Sequence, residues 1–167
     1  MLSEVANGQK LPELEFCYRL GRFNKQQISE IIPEVEFSTE REIAGMMTGS
    51  IDLFFMHNGK YYILDWKSNH LGNSIDKYNR ENLEEAMVGS NYHLQYHIYT
   101  IAAKRYLEQK LGKDANGHNR IDYERDFGGV IYIFLRGVRS TNSGMGIYFD
   151  KPKAETVNSL NELFISQ

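Results

Sequence analysis

Residues 49–67 read GSIDLFFMHNGKYYILDWK. Two runs of aliphatic and aromatic residues, Met47–His57 and Lys60–Lys67, are separated here by Asn58-Gly59. Asn-Gly between two such runs is the strongest short-range signal for a β-hairpin, because a type I′ turn requires a positive φ at both central residues. The stretch therefore predicts two antiparallel strands joined by a two-residue turn.

The register of this hairpin brings charged side chains together. If the turn has two residues, His57 pairs with Lys60, and the same register places Asp52 opposite Asp65. Directly opposed strand residues have Cβ atoms about 4.5–5.5 Å apart, and like charges at that spacing are destabilising. Lys67 lies two residues beyond Asp65 and projects from the same face. The other hairpin residues are apolar on both faces, with Phe54, Met56, Tyr61 and Ile63 beside Asp65, and Ile51, Leu53, Phe55, Leu64 and Trp66 opposite.

Two facing carboxylates beside a lysine favour a divalent cation. Mg²⁺ prefers oxygen ligands and is commonly held by one or two carboxylates. Such an ion polarises a phosphoryl oxygen and lowers the pKa of a bound water. The residues alone leave two other interpretations open, which are an Asp–Lys–Asp ion network without metal and a bulge that separates the two carboxylates.

The rest of the chain predicts strands and helices in alternation. The predicted elements are a strand over Glu13–Leu20, a helix over Asn24–Ile32, a helical segment over Arg80–Leu111 with a break near Gly89, a loop over Gly112–Asp126, strands over Gly128–Leu135 and Met145–Phe149, and a closing helix over Ala154–Phe164. This order predicts an α/β fold with a mixed β-sheet flanked by helices.

Composition excludes several classes of protein. The chain has 167 residues, of which 41% are hydrophobic, and this is enough for one folded domain over residues 1–167 and too much for a disordered chain. A single cysteine excludes internal disulfides and cysteine-rich metal sites. No apolar run reaches the ~20 residues of a membrane span, and the N-terminus lacks the pattern of a signal peptide. We therefore expect a cytoplasmic protein without a membrane partner. The net charge of −3 gives no global signal for nucleic acid.

Three motifs resemble those of one nuclease superfamily. Residues 49–52 and 65–69, GSID and DWKSN, resemble the G-x-x-D … D-[YW]-K signature of PD-(D/E)XK nucleases. Residues 92–99, YHLQYHIY, resemble the Q-x-x-x-Y helix motif of the RecB branch. Residues 127–138 are similar to the same part of RecB-type C-terminal nuclease domains. The resemblance extends over nearly the whole chain.

This resemblance implies a restriction-endonuclease-like core that hydrolyses DNA phosphodiester bonds with Mg²⁺, or with Mn²⁺ as a substitute. It assigns metal binding to Asp52, Asp65 and the backbone carbonyl of Trp66. Asp65 and Lys67 would be the catalytic residues.

The resemblance also suggests supporting residues around this centre. Gln95, Tyr99 and Ser68 would position DNA or support the site. Glu15 could be an additional acid, although an exposed strand carboxylate explains it as well. Arg136 could contact a phosphate, and a solvated strand end is the alternative interpretation.

The sequence departs from the RecB pattern at one metal ligand. RecB-type domains usually bring a histidine from an upstream helix, whereas the first histidine here is His57, within the hairpin. Neither Gly59-Lys60 nor Gly112-Lys113 is followed by Ser or Thr, so no phosphate-binding helicase loop is present. We expect a nuclease domain truncated at its N-terminal side.

The implied partners are DNA and the helicase and other subunits of an exonuclease V-type complex, which processes DNA ends in recombinational repair. Two alternatives remain from the residues. The chain could be a catalytically silent module that docks DNA or subunits, or a different metal-dependent phosphoesterase with the same spacing of acids and lysine.

Overall fold

The computed structural model describes residues 2–35, 42–141 and 144–165. These residues form a five-stranded sheet in the order β1-β2-β3-β4-β5, in which β3 and β4 are parallel and the other neighbours are antiparallel. The strands are β1 (Lys10–Asn24), β2 (Glu42–His57), β3 (Lys60–Lys67), β4 (Phe127–Phe134) and β5 (Ile147–Asp150). The helices are α1 (Lys25–Ile31), α2 (Arg80–Gly89), α3 (Tyr92–Leu111), α4 (Tyr123–Asp126) and α5 (Ala154–Ile165). The predicted α/β fold with a mixed sheet flanked by helices is confirmed.

The hairpin of β2 and β3 forms around the predicted turn. Asn58 has φ 50° and Gly59 has φ 75°, the two positive values that a type I′ turn requires. His57 pairs with Lys60, and the same register continues to the pair of Leu53 with Leu64. The predicted turn and register are confirmed over this length.

The strands part where the two acids were expected to face each other. The pairing of β2 with β3 ends at Leu53, so Asp52 and Asp65 are not a ladder pair. The backbone N–H of Trp66 donates instead to Oδ2 of Asp52, at 2.8 Å. A side-chain carboxylate thus replaces the β2 carbonyl that a regular ladder would offer.

This irregularity also changes which face some residues occupy. Ile51 packs in the same cluster as Phe54, whereas Leu53 packs on the opposite face of the sheet. The predicted placement of Ile51 on the face of Leu53 is therefore wrong, because alternation along β2 is interrupted at Asp52. Trp66 is 41% exposed, so the outer face of the hairpin is only partly covered.

The predicted helical break near Gly89 is confirmed. Helices α2 and α3 are separated by Ser90 and Asn91, and Asn91 has a left-handed φ of 53°. The two helices form the crossover that joins the parallel strands β3 and β4. A loop was predicted over Gly112–Asp126, and its last residues form the short helix α4. Short 3₁₀ turns at Ile75–Tyr78 and Leu135–Gly137, not predicted from the sequence, follow β3 and β4.

Two hydrophobic clusters hold the helices on one face of the sheet. The first joins β2, β3 and β4 to α2 and α3, and includes Phe54, Ile63, Leu83, Tyr96 and Tyr132. The second joins β1 to α1, α3 and α5, and includes Leu20, Phe23, Ile101, Leu160 and Phe164. Helix α3 belongs to both clusters and is therefore the central helix of the layer. None of the helices within the described ranges is long and apolar enough to cross a membrane.

The turn glycine gives a test of the hairpin. A Cβ at Gly59 would meet no atom within 4 Å, but its φ of +75° disfavours a side chain. Gly59→Ala should therefore lower the free energy of unfolding by about 1 kcal/mol, the usual cost of a left-handed residue. Thermal or urea unfolding measures this change. Gly8→Ala is the control, because Gly8 also lies in open space and has no positive φ. Equal effects of the two substitutions would contradict the assigned turn.

Candidate active site

A buried lysine ammonium lies at the centre of the candidate site. Lys67, the last residue of β3, is only 8% exposed. Its Nζ lies 2.7 Å from Oδ2 of Asp65 and donates to Oε1 of Gln95 at 2.8 Å. The ring centroids of Tyr92 and Tyr132 lie 3.8 and 4.9 Å from the same nitrogen. Two acceptors and two aromatic rings therefore replace water around this charge.

The side-chain amide of Gln95 connects three elements of the fold. Its Oε1 accepts from the Lys67 ammonium and also from the Tyr132 hydroxyl, at 3.1 Å. Its Nε2 donates to the Tyr99 hydroxyl at 2.9 Å. Gln95 and Tyr99 are four residues apart and hence share one face of α3. The helix motif thus holds the end of β3 through specific hydrogen bonds.

The two acids share one electrostatic environment. Burial raises the pKa of Asp65 above its ordinary value, the hydrogen bond and charge of Lys67 oppose this rise, and the charge of Asp52 adds to it. Burial raises the pKa of Tyr99 to about 12, and the negative charges of Asp65 and Asp52 contribute. Both carboxylates thus bear electrostatically on the Tyr99 hydroxyl of α3.

The carboxylates of Asp52 and Asp65 are suited to a hard cation. In each of them Oδ2 is engaged, by the N–H of Trp66 and by Lys67 respectively, and Oδ1 takes no hydrogen bond from the described residues. Magnesium commonly takes one or two carboxylates and completes its shell with waters and substrate phosphates. The donor set therefore fits such an ion. In the described ranges, no group of three or more His, Cys, Asp or Glu side chains is placed to hold a metal.

The structure brings together most of the residues that the sequence singled out. Asp52, Asp65, Trp66, Lys67, Gln95 and Tyr99 form one connected group. Ser68 adjoins it, and its carbonyl accepts from Nε of Arg136 at 3.0 Å. Glu15 is an exposed residue of β1 that pairs with Ser50, and no hydrogen bond or ion pair among the described residues joins its side chain to this group.

Two tyrosines of the site were not predicted as site residues. Tyr92 lies three residues before Gln95 and so faces the same side of α3, a spacing that could have identified it. Tyr132 pairs with Asp65 in the parallel register of β3 and β4. Nothing local in the sequence says that β4 lies beside β3, so Tyr132 had no comparable signal.

Comparison with known proteins gives relatives named RecBCD enzyme subunit RecB. No protein-family model matches the chain. It is 46% identical to the RecBCD enzyme subunit RecB of Haemophilus influenzae over 170 aligned residues, which cover 98% of the chain and 13% of that protein. It is 42% identical to RecB of Escherichia coli, covering 98% of the chain and 14% of that protein. RecB of Buchnera aphidicola is 35% identical over 91% of the chain and 13% of its own length. The chain thus spans about one seventh of these relatives, in their C-terminal part.

The buried pair can be tested by a double-mutant cycle without metal. Lys67→Met should lower the free energy of unfolding by about 3 kcal/mol, because it leaves the Asp65 carboxylate buried and unpaired. The double variant Asp65→Asn/Lys67→Met should lose clearly less than the sum of the two single variants. Urea unfolding in EDTA measures each corner of the cycle. The partly exposed pair Lys104–Glu108, at 2.8 Å, is the matched control, with an expected coupling below about 0.5 kcal/mol. Additive losses at residues 65 and 67 would contradict the assigned pair.

Proposed function

The chain belongs, over nearly its whole length, to the family of the C-terminal part of RecBCD enzyme subunit RecB, and we propose that it is a metal-dependent nuclease domain that hydrolyses DNA phosphodiester bonds. The main support is the buried Lys67 ammonium beside Asp65, with Asp52 on the neighbouring strand. Phosphoryl transfer develops negative charge that fixed cations stabilise. Two carboxylates and an ammonium on two adjacent interior strands supply the groups that this chemistry needs.

The metal in this proposal is Mg²⁺, with Mn²⁺ as a substitute. Asp52, Asp65 and the backbone carbonyl of Trp66 would hold it. When bound, such an ion polarises a phosphoryl oxygen and lowers the pKa of a coordinated water. The Trp66 N–H orients the Asp52 carboxylate and thereby keeps its other oxygen available.

The task of Lys67 is to place positive charge beside the scissile phosphate. Gln95 and the ring of Tyr92 hold the ammonium in one position, so little reorganisation is needed when negative charge develops on the phosphate. The Asp65 carboxylate contacts the same ammonium and is also one of the two proposed metal ligands, so it connects Lys67 to the proposed metal site. The Tyr99 hydroxyl keeps the Gln95 amide oriented, which makes Tyr99 a positioning residue.

The proposed partners follow from the same relationship. The relatives are named as subunits of a RecBCD enzyme. We propose DNA as substrate, and the helicase and other subunits of an exonuclease V-type complex as partners in DNA end processing and recombinational repair. A module that docks DNA or subunits without cleaving is the outcome to expect if the experiments below show no hydrolysis.

Metal binding can be measured directly. A ligand that binds only the folded state raises the melting temperature, so MgCl₂ or MnCl₂ should stabilise the parent chain. Asp65→Asn and Asp52→Asn should each remove most of this shift. Asp76→Asn is the control, because Asp76 is an exposed acid on the 3₁₀ turn after β3. A metal-dependent shift of the same size in Asp65→Asn as in the parent would refute the proposed ligands.

Cleavage separates catalysis from binding. Lys67→Met should reduce hydrolysis of linear single-stranded and duplex DNA by at least about 100-fold, the size of effect typical for removal of one preorganised charge. DNA binding measured without metal should change little, since the charge of Lys67 is already paired with the Asp65 carboxylate. The exposed Lys153 provides the control variant Lys153→Met. Cleavage by Lys67→Met near the parental rate, at a temperature where both are folded, would reduce Lys67 to a structural counter-ion.

A further inference from the structure

A separate cavity lies beside the candidate active site, where β3 and β4 end. Its volume is about 270 Å³, and its walls include His70, Asn73, Ser74, Tyr78, Arg136 and Arg139. These residues come from the two segments that follow the parallel strands. Ligands of open α/β sheets commonly bind outside the carboxyl ends of such strands. The position of the cavity is therefore that of a binding site.

The lining of the cavity is suited to an anion. Two arginines and a histidine line it together with amide and hydroxyl groups, and none of the lining residues is acidic. Nε of Arg136 donates to the carbonyl of Ser68 at 3.0 Å, which fixes the guanidinium and leaves its other nitrogens for a ligand. A fixed guanidinium fork matches the geometry of a phosphate. On the segment that follows β3, His70 shares a hydrogen bond of 3.1 Å with Asn73.

The walls of the cavity are packed rather than loose. Tyr78 is 2% exposed, and its hydroxyl accepts from the N–H of Leu71 and donates to the carbonyl of Asn69. A Cβ at Gly137 would lie 2.4 Å from Cβ of Tyr78, so only glycine allows the Arg136 segment to approach this closely. The Tyr78 ring thus joins the segment after β3 to the segment after β4. This packing preforms the pocket between them.

We propose that this cavity binds a backbone phosphate of the DNA strand next to the phosphate that is hydrolysed. Ser68, which holds Arg136, directly follows Lys67 along the chain. Phosphates along one DNA strand recur about every 3.4 Å of helix axis. Arg136 and Arg139 therefore lie within reach of a neighbouring phosphate when the scissile one is beside Lys67. The inference rests on the proposed function and adds to it a second phosphate subsite.

The test is DNA binding in EDTA, measured by fluorescence anisotropy of a labelled single-stranded oligonucleotide at several NaCl concentrations. Arg136→Ala and Arg139→Ala should each weaken binding roughly fivefold or more and lower the salt slope by about 0.7, the value for one phosphate contact on a single strand. Arg136→Lys should keep the slope and lose part of the affinity. Arg22→Ala is the control, because Arg22 is an exposed arginine at the far edge of the sheet.

Two readouts separate the outcomes. The side chain of Arg139 bonds only to the carbonyl of its neighbour Val138 in the described structure, so Arg139→Ala should keep the parental melting temperature and report binding alone. Unchanged affinity and slope in both arginine variants would overturn the subsite. Inorganic phosphate could raise the melting temperature of the parent chain but not of the arginine variants, while DNA binding of the variants stays unchanged. That result would also overturn the subsite and would indicate a small-anion site. If the parent chain cleaves no DNA but the arginine variants still lower the salt slope, the nuclease proposal fails while the phosphate subsite stands.

Discussion

The fold around the site depends on keeping one lysine charge out of water. Removing an ammonium from solvent costs several kcal/mol unless fixed partners replace its hydration. Lys67 finds those partners on three different elements, namely Asp65 on β3, Gln95 and Tyr92 on α3, and Tyr132 on β4. Helix α3 can therefore rotate or slide over the sheet only by exposing or unpairing this charge. The same constraint that orders the layers also fixes the geometry of the candidate site.

Local sequence signals predicted much of this fold. Asn58-Gly59 predicts both the turn type and the pairing from His57–Lys60 to Leu53–Leu64, because a two-residue loop leaves only one register. The prediction failed at Asp52. Periodicity assumes that every N–H finds a backbone partner, and here the Asp52 side chain accepts the hydrogen bond of Trp66 instead. When a side chain takes the place of a backbone carbonyl as acceptor, the pattern of apolar residues does not show it.

The candidate site was predictable to the extent that its residues are close in sequence. Asp65 and Lys67 share a face because they alternate on one strand, and Gln95 and Tyr99 share a face because they are four apart on a helix. That these two faces meet is a property of the crossover, which the family resemblance implied and the local patterns did not. Tyr132 reaches the site only because β4 lies parallel to β3. The contact of Tyr132 with the site could therefore be recognised only from the three-dimensional structure.

The residue that bonds to Asp52 at the irregular pairing is an intrinsic optical reporter. The chain has one tryptophan, Trp66, and its backbone N–H is the group that holds the Asp52 carboxylate. This residue is 41% exposed on the outer face of the strand that carries Asp65 and Lys67. Tryptophan emission from the chain therefore originates at a single place, between the two residues at the centre of the site. Without any attached dye, its wavelength and quenching report the local solvent environment of that strand.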